Sequence, residues 1–197
     1  MFYRTPVRVN ELPANLKCDA PDYKGGLRQS ANSLVIGMRI VLRKLILFTM
    51  VGSIVLAEDN LEHCFFFERA LKEVAPGVSF SAVHDGDKLI QLLESYLPDL
   101  LFLDLGMPCK NGVQCIKDIR EHRLNDSMPI VVFSITDDNQ SIQAAYGYGA
   151  NLYIVKPNEY SLLRSFLQKV LAMDWNDPKR VTDSFFSENR YVPFAVG

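Results

Sequence analysis

SIVLAEDN (Ser53–Asn60) runs from a strand-like aliphatic stretch straight into two adjacent carboxylates, Glu58 and Asp59. Like charges side by side at the end of a buried strand repel, so a compensating cation is expected close by. The same alternation recurs downstream. Short aliphatic runs lie at VSFSAV (78–83), DLLFLD (99–104), PIVVFS (129–134) and NLYIV (151–155), each bounded by turn-forming or charged residues.

Helical segments separate these runs. Phe66, Phe67, Ala70, Leu71 and Val74 share one helical face after the first strand, and Leu163, Phe166, Leu167, Val170 and Leu171 do so after the last. Shorter helices are expected at Lys88 to Tyr96, Val113 to Arg120 and Gln140 to Tyr148. Strands with almost no polar interruption, alternating with helices, predict an α/β fold: an open, doubly wound, five-stranded parallel sheet covered on both faces. Neither GxGxxG nor GxxxxGK[ST] occurs, which removes the main support for a dinucleotide or P-loop site.

Three regions are expected: an extension over 1–50, poorly ordered by its scattered Pro, Gly, Asn and Ser; a domain over 51–174; and an aromatic-rich tail over 175–197. The tail holds Trp175, Phe185, Phe186, Tyr191 and Phe194, too many aromatics for a solvated segment, so it is expected to pack on the domain or on a partner. It is also too short for a DNA-binding or catalytic output domain. Net charge is −2, but residues 1–49 carry +5 and the remainder −7, which argues against nonspecific nucleic-acid binding by the folded part. Cys18, Cys64, Cys109 and Cys115 form no CxxC pair, which fits a reducing, cytoplasmic setting. Met38 to Ala57 has the basic start and apolar run of a secretory signal. Its uninterrupted apolar part is 13 residues, where a span needs roughly 20, and it overlaps the first strand. Both points weigh against the membrane.

In an open parallel sheet, ligands sit beyond the carboxyl ends of the strands, near the point where strand order reverses. The strands deliver Glu58 and Asp59, then Asp104, then Ser134, then Lys156 followed by Pro157 to that edge. Three carboxylates make a hard oxygen site suited to Mg²⁺, one of them can serve as a phosphoryl-accepting nucleophile, and Lys156 and Ser134 can hold phosphoryl oxygens.

With these residues in view, Ser53 to Met173 resembles the receiver domain of two-component response regulators, in the form known from the stand-alone chemotaxis receiver with its flavodoxin-like (βα)5 fold. LAEDN resembles the family's acidic pair. LFLDLGMPCKNG resembles its acceptor segment, VVFS the strand ending in the switch hydroxyl, and GANLYIVKP the segment with the switch aromatic and the lysine. The resemblance implies Asp104 as phosphoacceptor, and Mg²⁺ held by Asp59, Asp104, the Gly106 carbonyl and, directly or through water, Glu58. It also implies a phosphoryl donor that is a sensor histidine kinase or a histidine phosphotransfer protein. Ser134 and Tyr153 would then form a switch, with Tyr153 turning into space that Ser134 vacates, read by an unknown downstream protein on the face formed by the fourth helix, the fifth strand and the fifth helix. The implied activity is self-catalysed phosphotransfer and autodephosphorylation only, without other enzyme chemistry. A phosphorylation-independent interaction module and a membrane-tethered receiver are the alternatives. A phosphatase with a nucleophilic Asp needs a second acid two residues on, where Gly106 stands.

Glu58 replaces the commoner Asp of the pattern. Ile135 follows Ser134 where a small residue is usual, and is expected to narrow access to the phosphoryl group. His63 is read as a packing or capping residue, Cys109 and Cys115 as ordinary small hydrophobes, and His84 with Asp85 and Gly86 as loop chemistry.

Overall fold

The sheet, its central strands buried on both faces and its edge strand Ser79–Val83 only partly buried, forms because five short, mostly apolar segments pair their backbones. In the computed structural model, which describes residues 51–121 and 127–195, these are β1 (Ser53–Ala57), β2 (Ser79–Val83), β3 (Leu100–Leu103), β4 (Ile130–Ser134) and β5 (Leu152–Val155). They pair in parallel in the order β2-β1-β3-β4-β5. This is the doubly wound arrangement expected from the alternation. The expected extension over 1–50, with most of the apolar run from Met38, lies outside the described residues.

The crossovers are α1 (Leu61–Val74), α2 (Gly86–Leu93), α3 (Gly112–Glu121) and α4 (Asn139–Gly147), and α5 (Tyr160–Leu171) follows β5. Two apolar clusters flank the sheet. One joins α1 and α5 to Ile54, Leu56, Leu100 and Phe102; the other joins α2, α3 and α4 to Val55, Leu101, Leu103 and Val132. Consecutive strand residues thus serve opposite cores, which is why the runs read as uninterrupted hydrophobes. Phe67 centres the first cluster, edge-on to Phe102 at 4.9 Å and to Phe133 at 5.7 Å.

Polar residues at strand ends start the helices. Asn60 accepts from the Glu62 and His63 amides (2.9 and 3.2 Å), Asp85 from Lys88 (2.7 Å), Asn111 from Gln114 (2.9 Å) and Asp138 from Ser141 (2.9 Å). These caps begin α2, α3 and α4 one or two residues earlier than hydrophobic periodicity alone suggests. At the opposite edge of the sheet, Asp99 Oδ2 accepts from the amides of Gly52 and Ser53 and from the Ser53 hydroxyl, stapling the start of β1.

One expectation is corrected. Phe66 is not on the inward face of α1; Cys64, Phe67, Ala70 and Leu71 are buried there. A helix turns about 100° per residue, so with Phe67 pointing into the core Phe66 faces the flank, where its ring meets Tyr160 of α5 edge-on at 6.2 Å.

The tail packs against the domain. Trp175 is buried and its indole N–H donates to the Val170 carbonyl at 2.9 Å. A short helix, α6 (Pro178–Asp183), follows, capped by Asp177. Then come β6 (Phe186–Ser187) and β7 (Arg190–Tyr191), an antiparallel hairpin turning through Glu188 and Asn189, both at positive φ. Phe194 adds a single parallel bridge to Ile154 on the free edge of β5. Among the described residues, no helix is long and apolar enough to cross a membrane.

Candidate functional site

Strand order reverses between β1 and β3, and the crevice outside their carboxyl ends holds the site. Glu58 and Asp59 leave β1, Asp104 leaves β3, Ser134 ends β4 and Lys156 follows β5. Among the described residues, Glu58, Asp104 and Ser134 are the buried polar ones, whereas Asp59 is exposed.

Lys156 supplies a cation to Glu58 of the acidic pair and to Asp104. Its Nζ lies 2.6 Å from Asp104 Oδ2 and 2.6 Å from Glu58 Oε2. The contact with Asp104 is an aligned hydrogen bond, while that with Glu58 Oε2 is a charge contact without hydrogen-bond geometry, leaving this buried oxygen without a hydrogen-bond donor. The other Asp104 oxygen, Oδ1, accepts from the Gly106 amide at 3.2 Å. Lys156 Nζ also lies 5.7 Å from the centre of the Phe133 ring, a favourable cation–π placement in a dry environment.

Oxygens of Glu58, Asp59 and Asp104 lie within 4.8 Å of one another. A hard divalent ion with oxygen ligands fits this donor set, and the unfilled Oε2 of Glu58 is the kind of buried acceptor such an ion would satisfy. Mg²⁺ suits three carboxylates with room for water on the exposed Asp59 side.

The acceptor loop is built to close tolerance. A Cβ on Gly112 would stand 2.3 Å from the Asp104 carbonyl oxygen and 2.8 Å from Leu105 Cα, so α3 can begin this close to the acceptor only with glycine. Lys110 pins the same loop through Asp118 at 2.7 Å.

His63 does something other than pack or cap. Its Nδ1 lies 3.0 Å from Glu58 Oε1 and 3.4 Å from Lys156 Nζ. With one proton on that nitrogen it donates to Glu58, and without it the nitrogen can accept from Lys156. The signal for this was available: the Asn60 cap fixes the first turn of α1, which sets the next residues above the acids. His84 likewise touches the segment, its Nδ1 2.9 Å from the Glu58 carbonyl oxygen. A groove of about 380 Å³ opens beside Lys156, lined by His63, Phe66, Ile135, Pro157 and Tyr160. Ile135 stands at its rim, 72% exposed.

Ser134 Oγ accepts from the Thr136 amide at 3.4 Å. Tyr153 is fully buried, and its hydroxyl donates to the Thr136 carbonyl at 2.9 Å. Its ring therefore already stands inward, and burial pushes the phenol up to about 12. Thr136, which links the two expected switch residues, had no sequence signal. Cys64 and Cys115 are buried thiols, each pushed up to about 11 chiefly by desolvation, while Cys109 is exposed.

Known proteins are similar to this chain in sequence and fold. The nitrate/nitrite response regulator protein NarL of Escherichia coli strain K12 is 33% identical over 105 residues, 53% of this chain and 48% of NarL, so the match spans about half of that relative. Among solved structures, the phosphorylated cyanobacterial phytochrome response regulator RcpA aligns with a TM-score of 0.57 and 26% identity, over 61% of this chain and 91% of its own. A response regulator receiver domain from Rhodospirillum rubrum aligns with a TM-score of 0.54 and 28% identity, over 61% and 91%. The response regulator receiver domain family itself matches residues 54–168, and the chain belongs to that family.

Proposed function

We propose that the chain is a cytoplasmic response regulator receiver that takes a phosphoryl group onto Asp104 from the phosphohistidine of a sensor kinase or a histidine phosphotransfer protein. The observation that carries this reading is the Asp104 carboxylate held at 2.6 Å by a buried lysine beside two further acids. In the transfer an Asp104 oxygen attacks phosphorus, the P–N bond breaks with its electron pair going to the imidazole, and an acyl phosphate forms. Glu58, Asp59, Asp104 and the Gly106 carbonyl would hold Mg²⁺, which supplies charge neutralisation for the phosphoryl oxygens when bound. Lys156 exchanges its hold on the carboxylate for a phosphoryl oxygen, and the Ser134 hydroxyl donates to another. The chemistry is limited to this self-catalysed transfer and to hydrolysis of the product.

The product carries nearly two negative charges and three acceptor oxygens, enough to redirect Ser134 and, through Thr136, Tyr153. A downstream protein then reads the α4-β5-α5 face. For the donor, the exposed Leu61 and Phe65 on α1 offer an apolar landing beside the groove. The test is transfer from a phosphorylated histidine phosphotransfer domain, with wild type and Asp104→Asn compared. Loss of Mg²⁺-dependent transfer in the variant is expected; equal transfer by both would refute the assignment.

A further inference from the structure

The face assigned above to a downstream protein already has an occupant. We propose that Phe185–Phe194 is an intramolecular strap on the α4-β5-α5 face, and that a phosphoryl group on Asp104 loosens it, so that a partner reads the face by replacing the strap. The inference rests on the acceptor reading of Asp104.

The strap touches all three elements. On β5, the Phe194 amide donates to the Tyr153 carbonyl at 2.7 Å, covering an edge that would otherwise offer unpaired backbone groups. On α4, the Gln143 amide group clips Tyr191 from both sides, its Nε2 donating to the Tyr191 carbonyl at 2.7 Å and its Oε1 accepting from the Tyr191 amide at 3.0 Å. The Tyr146 ring stacks on Tyr191 at 4.4 Å and 14°. On α5, Phe166 meets Phe194 edge-on at 5.5 Å. A segment recognised by backbone pairing on an edge strand, side-chain clips and aromatic packing imitates an added-strand ligand.

The same residues connect the strap to the acceptor. The Tyr146 hydroxyl accepts from the Tyr153 amide at 3.0 Å and donates to the Val192 carbonyl at 3.3 Å, so one group touches β5 and the strap together. Tyr153 in turn is tied through its hydroxyl to Thr136, and Thr136 to Ser134. Once Ser134 turns to the phosphoryl group, the Thr136 peptide loses its partner and shifts, taking Tyr153 with it. Tyr153 shares a buried cluster with Tyr146 and donates its amide to the Tyr146 hydroxyl, so α4 adjusts relative to β5. The strap spans the two elements and consists of exposed and partly exposed residues, which makes its contacts the least costly to release.

Amide exchange on the full chain tests this, with Mg²⁺ and beryllofluoride as the phosphoryl mimic and the fluorine spectrum of bound fluoride reporting whether Asp104 is loaded. Loading is expected to speed exchange of the Tyr191, Val192 and Phe194 amides about tenfold, an ordinary size for coupling between two sites, while amides of β3 stay protected. Bound fluoride with unchanged or slower exchange at these three amides overturns the strap and leaves the acceptor intact. Failure to bind fluoride overturns the acceptor reading and, with it, the coupling. Gln143→Ala lies away from the acceptor and is expected to raise strap exchange without loading; unchanged exchange in that variant also overturns the proposal.

Discussion

Replacing Lys156 with methionine isolates the electrostatic logic of the site. The ammonium lies 2.6 Å from Glu58 Oε2 and from Asp104 Oδ2, and the three side chains are 7%, 1% and 8% exposed. Each contact is worth about 6 kcal/mol of gross attraction at an effective dielectric near 20, and desolvation offsets most of it. Removing the cation leaves two buried carboxylates facing each other, and the loss expected for breaking a buried pair is about 3–5 kcal/mol. With a urea slope near 2 kcal/mol/M, the unfolding midpoint falls by about 2 M in chelator. Mg²⁺ then restores more stability to the variant than to wild type, because the ion no longer competes with a fixed positive charge; a concentration 100 times the dissociation constant contributes about 2.7 kcal/mol. The assay is urea unfolding of both proteins with EDTA and with Mg²⁺. A loss below about 1 kcal/mol in chelator, or a loss that Mg²⁺ leaves unchanged, would mean that Lys156 does not compensate these buried acids.

Gly112→Ala drives a methyl into the Asp104 backbone, and the expected outcome is destabilisation of about 2–3 kcal/mol with phosphoryl loading slowed about 100-fold by an acceptor displaced near 1 Å, measured by unfolding and by acetyl-phosphate kinetics. Ile135→Ala opens the rim of the groove, so the acyl phosphate is expected to form faster and to hydrolyse several-fold faster, read from phosphoryl lifetime; equal loading rates and equal lifetimes would remove any gating role from Ile135. Among the described cysteines, Cys109 is expected to react first with a maleimide at pH 8, because thiols at about 11 hold on the order of 100-fold less thiolate than an ordinary cysteine. Peptide mapping checks that order.

Much of the fold was legible because a parallel sheet buries both of its faces. β1, β3 and β4 are aliphatic at nearly every position, whereas the helix caps Asn60, Asp85 and Asp138 were not read from the sequence, because such residues serve loops and turns equally well. The convergence of Glu58, Asp59, Asp104 and Lys156 followed from strand-end positions alone. Side-chain direction on α1 was harder: Phe66 and Phe67 are equally hydrophobic, and only the groove beside Tyr160 decides which one points outward. The contact of His63 with Glu58 depends on cap geometry rather than on residue type. Least legible was the tail, whose aromatic content implied packing, while its addition to the edge of β5 rests on backbone bonds that any residue could make.

The central claim is that Asp104 becomes an acyl phosphate. After exposure to acetyl phosphate and Mg²⁺, borohydride reduces an aspartyl phosphate to homoserine, and peptide mass mapping locates it. Homoserine is expected at position 104 alone, and absent when Mg²⁺ is chelated. Reduction at Glu58 or Asp59, or at no carboxylate, would contradict it.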